Sequence, residues 1–342
     1  MASSTIRTDE VSKALLTRIA TGGFLAAALY AAIEFGIPDQ LADGSRSTRD
    51  LAAACHADED VLYRILRALA SIGVFNEEAP RTFALTRPAA LLRSSSIADQ
   101  LRWMSHPVQL QAASGILEAT DTRLSGARTA AGPALFDRLA SNTDLLDCFH
   151  RAMAASTIDV AAAVLDAYDF ADAAVVVDVG GGLGQLLCPI LQRHHRIRGI
   201  LFDRPEVSME AAAYLSAANV ADRCAVSIGD FFESVPAGGD AYLLKHVLHD
   251  WDDEQAVRIL TRVRGQLGEA SSARMIIVES LLSPGNRPDV TKIGDLAMLL
   301  TVGGRERTLA EYETLCDAAG LRIGRNISTA AGVSVLEAVP AE

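Results

Sequence analysis

The sequence predicts an α/β protein, in which a doubly wound, Rossmann-like sheet with an antiparallel edge strand follows a mainly helical N-terminal domain that contains a winged-helix segment. Three observations support this fold class. Helical periodicity dominates residues 1–165, short β-branched runs alternate with helical patterns after residue 166, and the last two of these runs have no helix between them. Strands that alternate with helices form βαβ units in a parallel sheet, whereas two successive strands pair antiparallel. We therefore expect two domains, residues 1–165 and 166–342.

An apolar helix is predicted near the N-terminus, over residues 11–35, and Gly36, Ile37 and Pro38 end it. Its surface is rich in alanine, and a helix that is apolar on all sides has to be covered on every side. Either the core of the same chain or a second subunit must therefore bury it. The longest apolar run within it is shorter than the roughly 20 residues of a transmembrane helix and includes Glu34. We expect a buried helix and no membrane span.

A winged helix is predicted next, from two short helices over residues 48–55 and 58–75 and a hairpin over residues 74–85. Such modules often bind DNA, but binding requires a basic face. The second helix offers only Arg64 and Arg67. We therefore expect a packing or dimerisation module rather than a DNA-binding one.

The remaining elements follow from periodicity. Further helices are expected over residues 98–119, 134–139 and 145–168. Strands are expected over residues 175–180, 199–203, 225–228, 241–245, 274–279, 322–327 and 333–338, with helices between the first five. The first of these runs, VVVDVG, is apolar without alternation, as a parallel strand buried on both faces should be.

The composition limits the classes of function. Half of the 342 residues are hydrophobic and 22% are charged, which allows a large core and argues against disorder. The formal net charge is −12 and the pI is about 5.1, so we expect no nucleic-acid partner.

The cysteines and the N-terminus indicate a cytoplasmic protein. The N-terminal segment lacks the charged and apolar regions of a secretory signal. Five cysteines lie far apart without any CxxC pair, which predicts reduced thiols rather than disulfides or a zinc site. They are Cys55, Cys148, Cys188, Cys224 and Cys316.

Three consecutive strand ends carry groups suited to a nucleoside. The first strand runs into a glycine-rich loop that includes Gly180 and Gly182, where the backbone can turn sharply and approach a ligand. Asp203 ends the second strand and could accept both ribose hydroxyls. Asp230 follows the third strand and could accept from an adenine amino group, while Phe231 packs on the ring. The glycine loop alone is a weak signal; the three ends together are a stronger one.

The charge of this loop favours a ligand without phosphate. A pyrophosphate is normally bound at a helix N-terminus and usually by a basic residue. The loop has no lysine or arginine before Arg193, and Asp178 sits in it. A positively charged nucleoside fits this environment better, and S-adenosyl-L-methionine is such a ligand.

The segment YLLKHVLHDWDDEQ brings His249 just beyond the end of the fourth strand, at the same sheet edge. A phenolic hydroxyl has a pKa near ~10 and attacks a methyl group far better once it is deprotonated. An imidazole suits that proton transfer, so we predict that His249 is a general base. Two alternatives remain open: a satisfied core histidine, or a metal site formed by His246, His249 and Asp250.

The motifs DVGGGLG, LFDRP, GDFFESVP, YLLKHVLHDWDDEQ and GGRERT occur in this order. Together they resemble the S-adenosylmethionine-dependent O-methyltransferases of the caffeate/hydroxyindole type, whose bacterial members modify aromatic natural products. The resemblance covers nearly the whole chain. It implies a methyltransferase sheet, a homodimer and S-adenosyl-L-methionine as the cofactor.

The resemblance also assigns residues to roles. It implies that Glu279 and Glu306 flank His249, and that Asp250 lies at the substrate. Glu279 also ends an apolar strand, an unusual place for a carboxylate without a partner. Lys245 resembles the cofactor-contacting lysine of the family, although a structural lysine that reaches towards solvent is the alternative.

The substrate side is less specified. The resemblance places Met153 at the boundary between substrate and cofactor. The family's serine four residues later is replaced by Thr157, while Ser156 precedes it, so we assign the cofactor contact to Ser156. Trp103 and Met298 are further candidates for the substrate wall. Other candidates for this wall are Met104, His106, Phe136 and Leu299.

The sequence therefore predicts a homodimeric, cytoplasmic O-methyltransferase that acts on a hydroxylated aromatic small molecule. One alternative keeps the fold and cofactor but decarboxylates or hydroxylates its substrate. Another is a winged-helix regulator whose sheet domain senses a nucleoside; the acidic charge and the arginine-poor helix argue against it.

Overall fold

A computed structural model describes residues 2–93, 96–122, 135–268 and 273–341 of the chain. The chain forms two compact units. The first comprises Met1–Leu110 and Asp147–Ala155, and the second comprises Gln111–Leu146 and Ser156–Glu342. A domain boundary at residue 165 stays a prediction.

The N-terminal apolar segment forms two helices, α1 (Ala2–Ala20) and α2 (Gly22–Glu34), followed by the short α3 (Ile37–Gln40). A single helix over residues 11–35 was therefore the wrong prediction. The two helices meet at an angle of 54°, and α2 begins with Gly22 and Gly23, a residue type that weakens a helix and permits a sharp bend.

Much of this apolar surface is exposed, so the core of the same chain does not cover it. In α2, the fully buried residues are Ala32 and Ile33. The exposed apolar side chains, with their exposed fractions, are Val11 (67%), Leu15 (59%), Leu16 (66%), Ile19 (67%) and Phe24 (80%). Of the two predicted ways of covering the helix, this exposure favours a second subunit.

The predicted winged helix is confirmed. It comprises α4 (Thr48–Cys55), α5 (Glu59–Ala70) and the strands β1 (Arg46–Ser47), β2 (Phe75–Ala79) and β3 (Thr82–Leu85). The strands form an antiparallel sheet in the order β1-β3-β2. Ser47 and Asp58 cap the two helices through their side chains. The fully buried core between them includes Leu51, Leu62, Leu66, Leu69, Phe75 and Phe83.

Several helices connect the winged helix to the large sheet. They are α6 (Arg87–Ala90), α7 (Ser96–Met104), α8 (Pro107–Ser114), α9 (Ile116–Thr122), α10 (Leu135–Ala140) and α11 (Thr143–Ala167). The predicted continuous helix over residues 98–119 is interrupted before Pro107 and at Gly115, because proline and glycine both disfavour a helix interior.

By length and apolar composition alone, α11 could span a membrane, and the bent pair α1 and α2 could form a second span. Only 44% of the apolar window in α11 is buried within the protein. Core helices of soluble proteins pass the same test, so this is weak evidence for a span.

The seven-stranded sheet of the second unit confirms the predicted doubly wound fold. Its strands are β4 (Val175–Val179), β5 (Arg198–Asp203), β6 (Cys224–Ile228), β7 (Ala241–Lys245), β8 (Arg274–Ser280), β9 (Leu321–Ser328) and β10 (Val333–Pro340). The order is β6-β5-β4-β7-β8-β10-β9. The first five pair in parallel, and β10 runs antiparallel to both β8 and β9.

Helices cover both faces of this sheet. They are α12 (Leu187–Arg193), α13 (Pro205–Ala217), α14 (Asp253–Arg264), α15 (Thr291–Thr301) and α16 (Leu309–Ala318). The predicted helix between β6 and β7 was wrong: residues 229–240, all of which the structure describes, form a turn and a loop. Proline and glycine explain this, since Pro236, Gly238 and Gly239 follow one another closely.

The strand order reverses between β4 and β7. From β4 the chain continues to β5 on one side, whereas β7 pairs with the other side of β4. Open α/β sheets bind ligands at the carboxyl ends of the strands at such a point. The ends of β4 and β7 carry the glycine loop and the His249 segment.

Candidate active site

His249 lies in a short 3₁₀ turn, Leu248–Asp250, that follows β7. The turn begins after His246, whose φ of +52° is in the left-handed region. The side chain of His249 is 14% exposed, so the imidazole belongs to a crevice rather than to the outer surface.

Three carboxylates surround the imidazole, the predicted Glu279 and Glu306 and also Asp250. The Nδ1 atom lies 3.0 Å from Oε1 of Glu306 and 3.7 Å from Oε2 of Glu279. The Nε2 atom lies 3.6 Å from Oδ1 of Asp250. Because Nδ1 faces two carboxylates, a proton on that atom is favoured, and Nε2 is the atom left to face a bound substrate.

Glu279 is held from the other side by the backbone of the histidine turn. Its carboxylate is fully buried, and Oε1 accepts hydrogen bonds from the N–H groups of Val247 (3.2 Å) and Leu248 (3.0 Å). Within the described residues, its Oε2 atom has no hydrogen bond. The end of β8 therefore fixes both the backbone before His249 and the charge beside its ring.

Glu306 reaches the imidazole because its loop packs directly on the histidine turn. The N–H of Arg305 donates to the carbonyl of His249 at 2.8 Å, and the N–H of Glu306 donates to Oδ1 of Asp295 at 2.9 Å. A Cβ atom on Gly304 would lie 2.0 Å from the His249 carbonyl oxygen. Only glycine therefore permits this approach.

Arg307 is a residue that the sequence reasoning missed. Its side chain is fully buried, and its guanidinium donates to the carbonyls of Leu248 (2.9 Å) and Trp251 (2.8 Å) and to Oδ1 of Asp253 (2.9 Å). It therefore holds both ends of the segment that contains His249. The motif GGRERT contains two arginines, and nothing in their order shows which is buried.

The carboxylates change the acidity of the imidazole. Burial alone lowers the pKa of His249, but the charges of Glu279 and Asp250 and the hydrogen bond with Glu306 outweigh it and raise the pKa to about 10. Burial also raises the pKa of Glu279 and of Asp250, against the attraction of His249. At neutral pH the imidazole is therefore protonated, and the surrounding carboxylates stabilise its positive charge.

The glycine loop lies across the crevice at the end of β4. Gly180 and Gly182 have φ values of +68° and +61°, which glycine adopts without strain. A Cβ atom on Gly180 would lie 3.0 Å from Val247, and one on Gly181 would lie 2.5 Å from the carboxylate carbon of Asp178. The loop is thus packed tightly between β4 and the histidine segment.

The two predicted nucleoside-binding acids also lie at this edge. Asp203 accepts a hydrogen bond from the N–H of Gly182 at 2.8 Å, which ties the end of β5 to the loop. Asp230 is exposed and accepts from the N–H of Phe232 at 2.7 Å. The ring of Phe231 packs edge-on against Phe232 and Trp251, with centroid distances of 5.0 and 6.0 Å.

Lys245 ends β7 beneath the loop. Its Nζ donates to Oγ1 of Thr157 at 2.9 Å, and burial lowers its pKa. Burial raises the pKa of the neighbouring Asp178 to about 7. Within the described residues, Oδ2 of this carboxylate has no hydrogen bond. Thr157 thus provides the hydroxyl beside Lys245, whereas Ser156 is half-buried and its predicted cofactor contact stays a prediction.

Comparison with known proteins decides the family. Residues 119–322 match the model of the O-methyltransferase domain, and residues 17–95 match that of the O-methyltransferase dimerisation domain. The chain belongs to the O-methyltransferase family. The phenazine O-methyltransferase PhzM of Lysobacter antibioticus is 40% identical over 95% of this chain and 96% of that protein.

Solved structures agree with this assignment. The mitomycin 7-O-methyltransferase MmcR has a TM-score of 0.92 and 34% identity, with 98% of this chain and 100% of that chain covered. The O-methyltransferase NcsB1, solved with S-adenosylmethionine and 2-hydroxy-5-methyl naphthoic acid, has a TM-score of 0.81 and 29% identity. The alignment with it covers 92% of this chain and 95% of that chain. Neither a regulator nor a decarboxylating or hydroxylating enzyme is favoured.

This O-methyltransferase uses S-adenosyl-L-methionine, which supplies a methyl group on a positively charged sulfur. The residues present suit such a cofactor. The positive-φ glycines leave the loop backbone free of side chains, and the strands that end at this edge carry the carboxylates of Asp178, Asp203 and Asp230, without a basic residue in the loop. Asp203, Asp230 and Phe231 would hold the nucleoside, and the unpartnered oxygen of Asp178 suits a cationic group.

The predicted substrate-wall residues of the O-methyltransferase lie in both units. In the first, Trp103 is buried and packs against Phe149 at 5.2 Å between ring centroids, and Met153 is 36% exposed. In the second, Met298 is half-buried on α15. Their contact with substrate stays a prediction. Of the other candidates, Met104 (62%) and Leu299 (37%) are exposed, His106 packs on Tyr30, and the side chain of Phe136 lies outside the described residues.

His249, Glu279 and Glu306 could also hold a metal ion, because one ligand atom from each lies within 4.8 Å of the others. The alternative predicted set, with His246 and His249, is disfavoured by geometry. Their rings are stacked at 5.1 Å and 14°, so their faces rather than their nitrogens meet. Without a metal, Glu306 is hydrogen-bonded to Nδ1 of His249, and the negative charges of Glu279 and Asp250 favour the protonated imidazole.

Proposed function

We propose that this O-methyltransferase methylates a hydroxyl group on an aromatic small molecule and that His249 is its general base. One observation carries the assignment of the base: Glu306, Glu279 and Asp250 all lie within 3.7 Å of the imidazole nitrogens. A core histidine with no role in proton transfer would not need three acids. Glu306 and Glu279 fix Nδ1, which directs Nε2 to the acceptor oxygen.

The raised pKa of His249 suits a phenolic acceptor. A proton moves between oxygen and nitrogen with little cost when their pKa values match, and a phenol has a pKa of about 10. A neutral imidazole with a phenol and an imidazolium with a phenolate carry the same number of protons. In the second form, Nε2 holds the proton that the acceptor has lost, and the carboxylates stabilise the resulting positive charge.

The remaining residues position the two reactants. Arg307, Gly304 and Glu279 hold the backbone of the histidine turn, which keeps Nε2 in place while the methyl group is transferred in line. Bound S-adenosyl-L-methionine would supply a methyl group on a positively charged sulfur, and a crevice with little water would favour the loss of opposite charges when that group is transferred to a phenolate.

We also propose that the enzyme is a cytoplasmic homodimer. A second copy would cover the exposed apolar side chains of α1 and α2, and residues 17–95 match a dimerisation domain. The five cysteines are free, as in reducing compartments. Met153, Trp103, Met298 and Asp250 are the proposed substrate contacts, and the similar enzyme NcsB1 binds a hydroxynaphthoic acid.

Transfer of a labelled methyl group tests the reaction and the base separately. The protein is incubated with methyl-labelled S-adenosylmethionine and a panel of phenols, hydroxynaphthoates and hydroxyphenazines. We expect labelled ether products, and a rate at least ~100-fold lower in His249→Ala, the usual scale of general-base catalysis. His195→Ala, at an exposed histidine after α12, is the matched control and should keep full activity.

Two results would contradict parts of the proposal. If no phenol of the panel accepts label, the aromatic acceptor is wrong. If His249→Ala transfers methyl at the wild-type rate, the base assignment is wrong, and catalysis rests on positioning alone. Metal analysis of the purified enzyme, with activity in a chelator, tests the alternative role of the three ligands.

A further inference from the structure

His246 has a backbone conformation that a non-glycine residue rarely adopts. Four non-glycine residues in the described part of the chain have positive φ values. His56 and Asn219 lie at helix ends, and Arg81 lies in a hairpin turn, where such conformations are common. His246, with φ +52°, instead extends β7 beyond its last residue, and its N–H donates to the carbonyl of Val278 at 3.0 Å. Such strain concentrates at functional sites.

The consequence of this conformation is the placement of a second imidazole beside the first. The rings of His246 and His249 are nearly parallel, at 14°, with centroids 5.1 Å apart. Within the described residues, no hydrogen bond to the ring of His246 occurs, whereas His249 is held by Glu306. Burial, Lys245 and His249 all lower the pKa of His246, so this ring is neutral and offers one donor and one acceptor.

We propose that His246 is a specificity-determining residue that binds a second polar group of the aromatic substrate, next to the hydroxyl that is methylated. The proposal rests on the proposed function, because it places the acceptor hydroxyl at His249. Two stacked imidazoles 5.1 Å apart can each bind, over about 3 Å, one of two neighbouring groups on a single aromatic ring. The substrate class is therefore an aromatic hydroxy compound with a hydroxyl, carbonyl or ring nitrogen at the adjacent position.

Binding of matched compounds tests this directly. Catechol is compared with 2-methylphenol, and 2,3-dihydroxynaphthalene with 3-methyl-2-naphthol, by calorimetry in the presence of S-adenosylhomocysteine. Each pair differs only in the second group. We expect the wild-type enzyme to bind the dihydroxy member about three- to tenfold more tightly, the scale of one net hydrogen bond.

Three substitutions separate hydrogen bonding from stacking and strain. His246→Asn keeps a donor and an acceptor and tolerates positive φ, so it should retain part of the preference. His246→Phe keeps a stacked ring but no hydrogen bond, and His246→Gly removes both without strain. Both should bind the two members of a pair equally. His56→Phe makes the same change at φ +55° and should leave the preference intact.

The proposal is overturned if wild type shows no preference, including no binding of either member. It is also overturned if His246→Gly or His246→Phe retains the preference for the dihydroxy compound. The same holds if these variants bind S-adenosylhomocysteine more weakly while the preference is unchanged. If His246→Phe does not fold, His246→Gly decides the question. Failure of the proposed function can be told apart from failure of this inference. If the proposed function is wrong, no phenol is methylated. If only this inference is wrong, both members of a pair are methylated at equal rates.

Discussion

The guanidinium of Arg307 donates a 2.9 Å hydrogen bond to the carbonyl of Leu248, the residue that precedes His249. The same group also binds the Trp251 carbonyl and the Asp253 carboxylate, so a single buried cation fixes the whole turn. The chemistry at His249 therefore depends on a residue that has no place of its own in the proton transfer.

Replacement of Arg307 should damage both stability and rate. Arg307→Met leaves two buried carbonyls without a charged donor, and each such loss costs about 1–3 kcal/mol. We expect the free energy of unfolding to fall by about 3 kcal/mol and the turnover number to fall by at least ~10-fold. Denaturant titration and methyl-transfer kinetics measure the two effects.

Arg305→Met is the matched control, because Arg305 is 45% exposed in its side chain and forms ion pairs with Asp253 and Glu311. Exposed ion pairs contribute about 0–1 kcal/mol. If both arginine variants lose equal stability and activity, the buried hydrogen bonds of Arg307 do not have the assigned role.

Removal of the charge of Glu306 should lower the pKa of His249. The hydrogen bond from Nδ1 and the negative charge of Glu306 both contribute to the raised pKa. Glu306→Gln keeps the shape and a hydrogen-bond acceptor but removes the charge. We expect the pKa of His249 to fall by about 1–3 units, as when an opposite charge is removed from close contact. Carbon-13 NMR of labelled histidine measures it, with His249→Ala to assign the signal.

The matched control for this titration is Glu313→Gln, an exposed change on α16 that should leave the signal in place. A pKa that rises, or does not move, in Glu306→Gln would show that the carboxylate does not hold the imidazolium in solution.

Gly304 should tolerate no side chain. A Cβ atom there would lie 2.0 Å from the His249 carbonyl and 2.5 Å from the carbonyl carbon of Asp250, both of them backbone atoms that cannot move aside. We expect Gly304→Ala to lower the free energy of unfolding by about 2 kcal/mol or more and to reduce turnover strongly. Gly23→Ala, where a Cβ atom meets nothing within 4 Å in a helix, should be neutral or stabilising. Thermal unfolding compares the stability of the two variants. If Gly304→Ala unfolds at the wild-type temperature, this contact is not formed.

The strand ends could be predicted because their signal is local. Gly180, Asp203 and Lys245 each end or follow an apolar run, and parallel strands bring such ends to one edge. Glu306 is different, since it lies 57 residues from His249 in a loop without periodicity. Only the resemblance to a known family indicated it.

The missed features depend on packing that one sequence does not encode locally. Whether Arg305 or Arg307 turns inwards is decided by the carbonyls of the facing turn. Likewise, the φ of His246 becomes unusual only because β7 continues its pairing with β8 at Val278.

The raised pKa of His249 should appear in the pH dependence of catalysis. The productive complex contains one proton shared between imidazole and acceptor, so kcat/KM rises with pH below the lower of the two pKa values and falls above the higher. With His249 at about 10 and a simple phenol also near ~10, log kcat/KM should rise by one unit per pH unit from about pH 7 to 9. An imidazole with the ordinary pKa of about 6.5 would instead give a plateau across this range.

A nitro-substituted phenol, which is more acidic, should reach its plateau at its own lower pKa and keep it until about pH 10. Initial rates with both acceptors across this range decide the matter: a plateau with the simple phenol from about pH 6.5 would show that the carboxylates do not raise the pKa of His249 in the free enzyme.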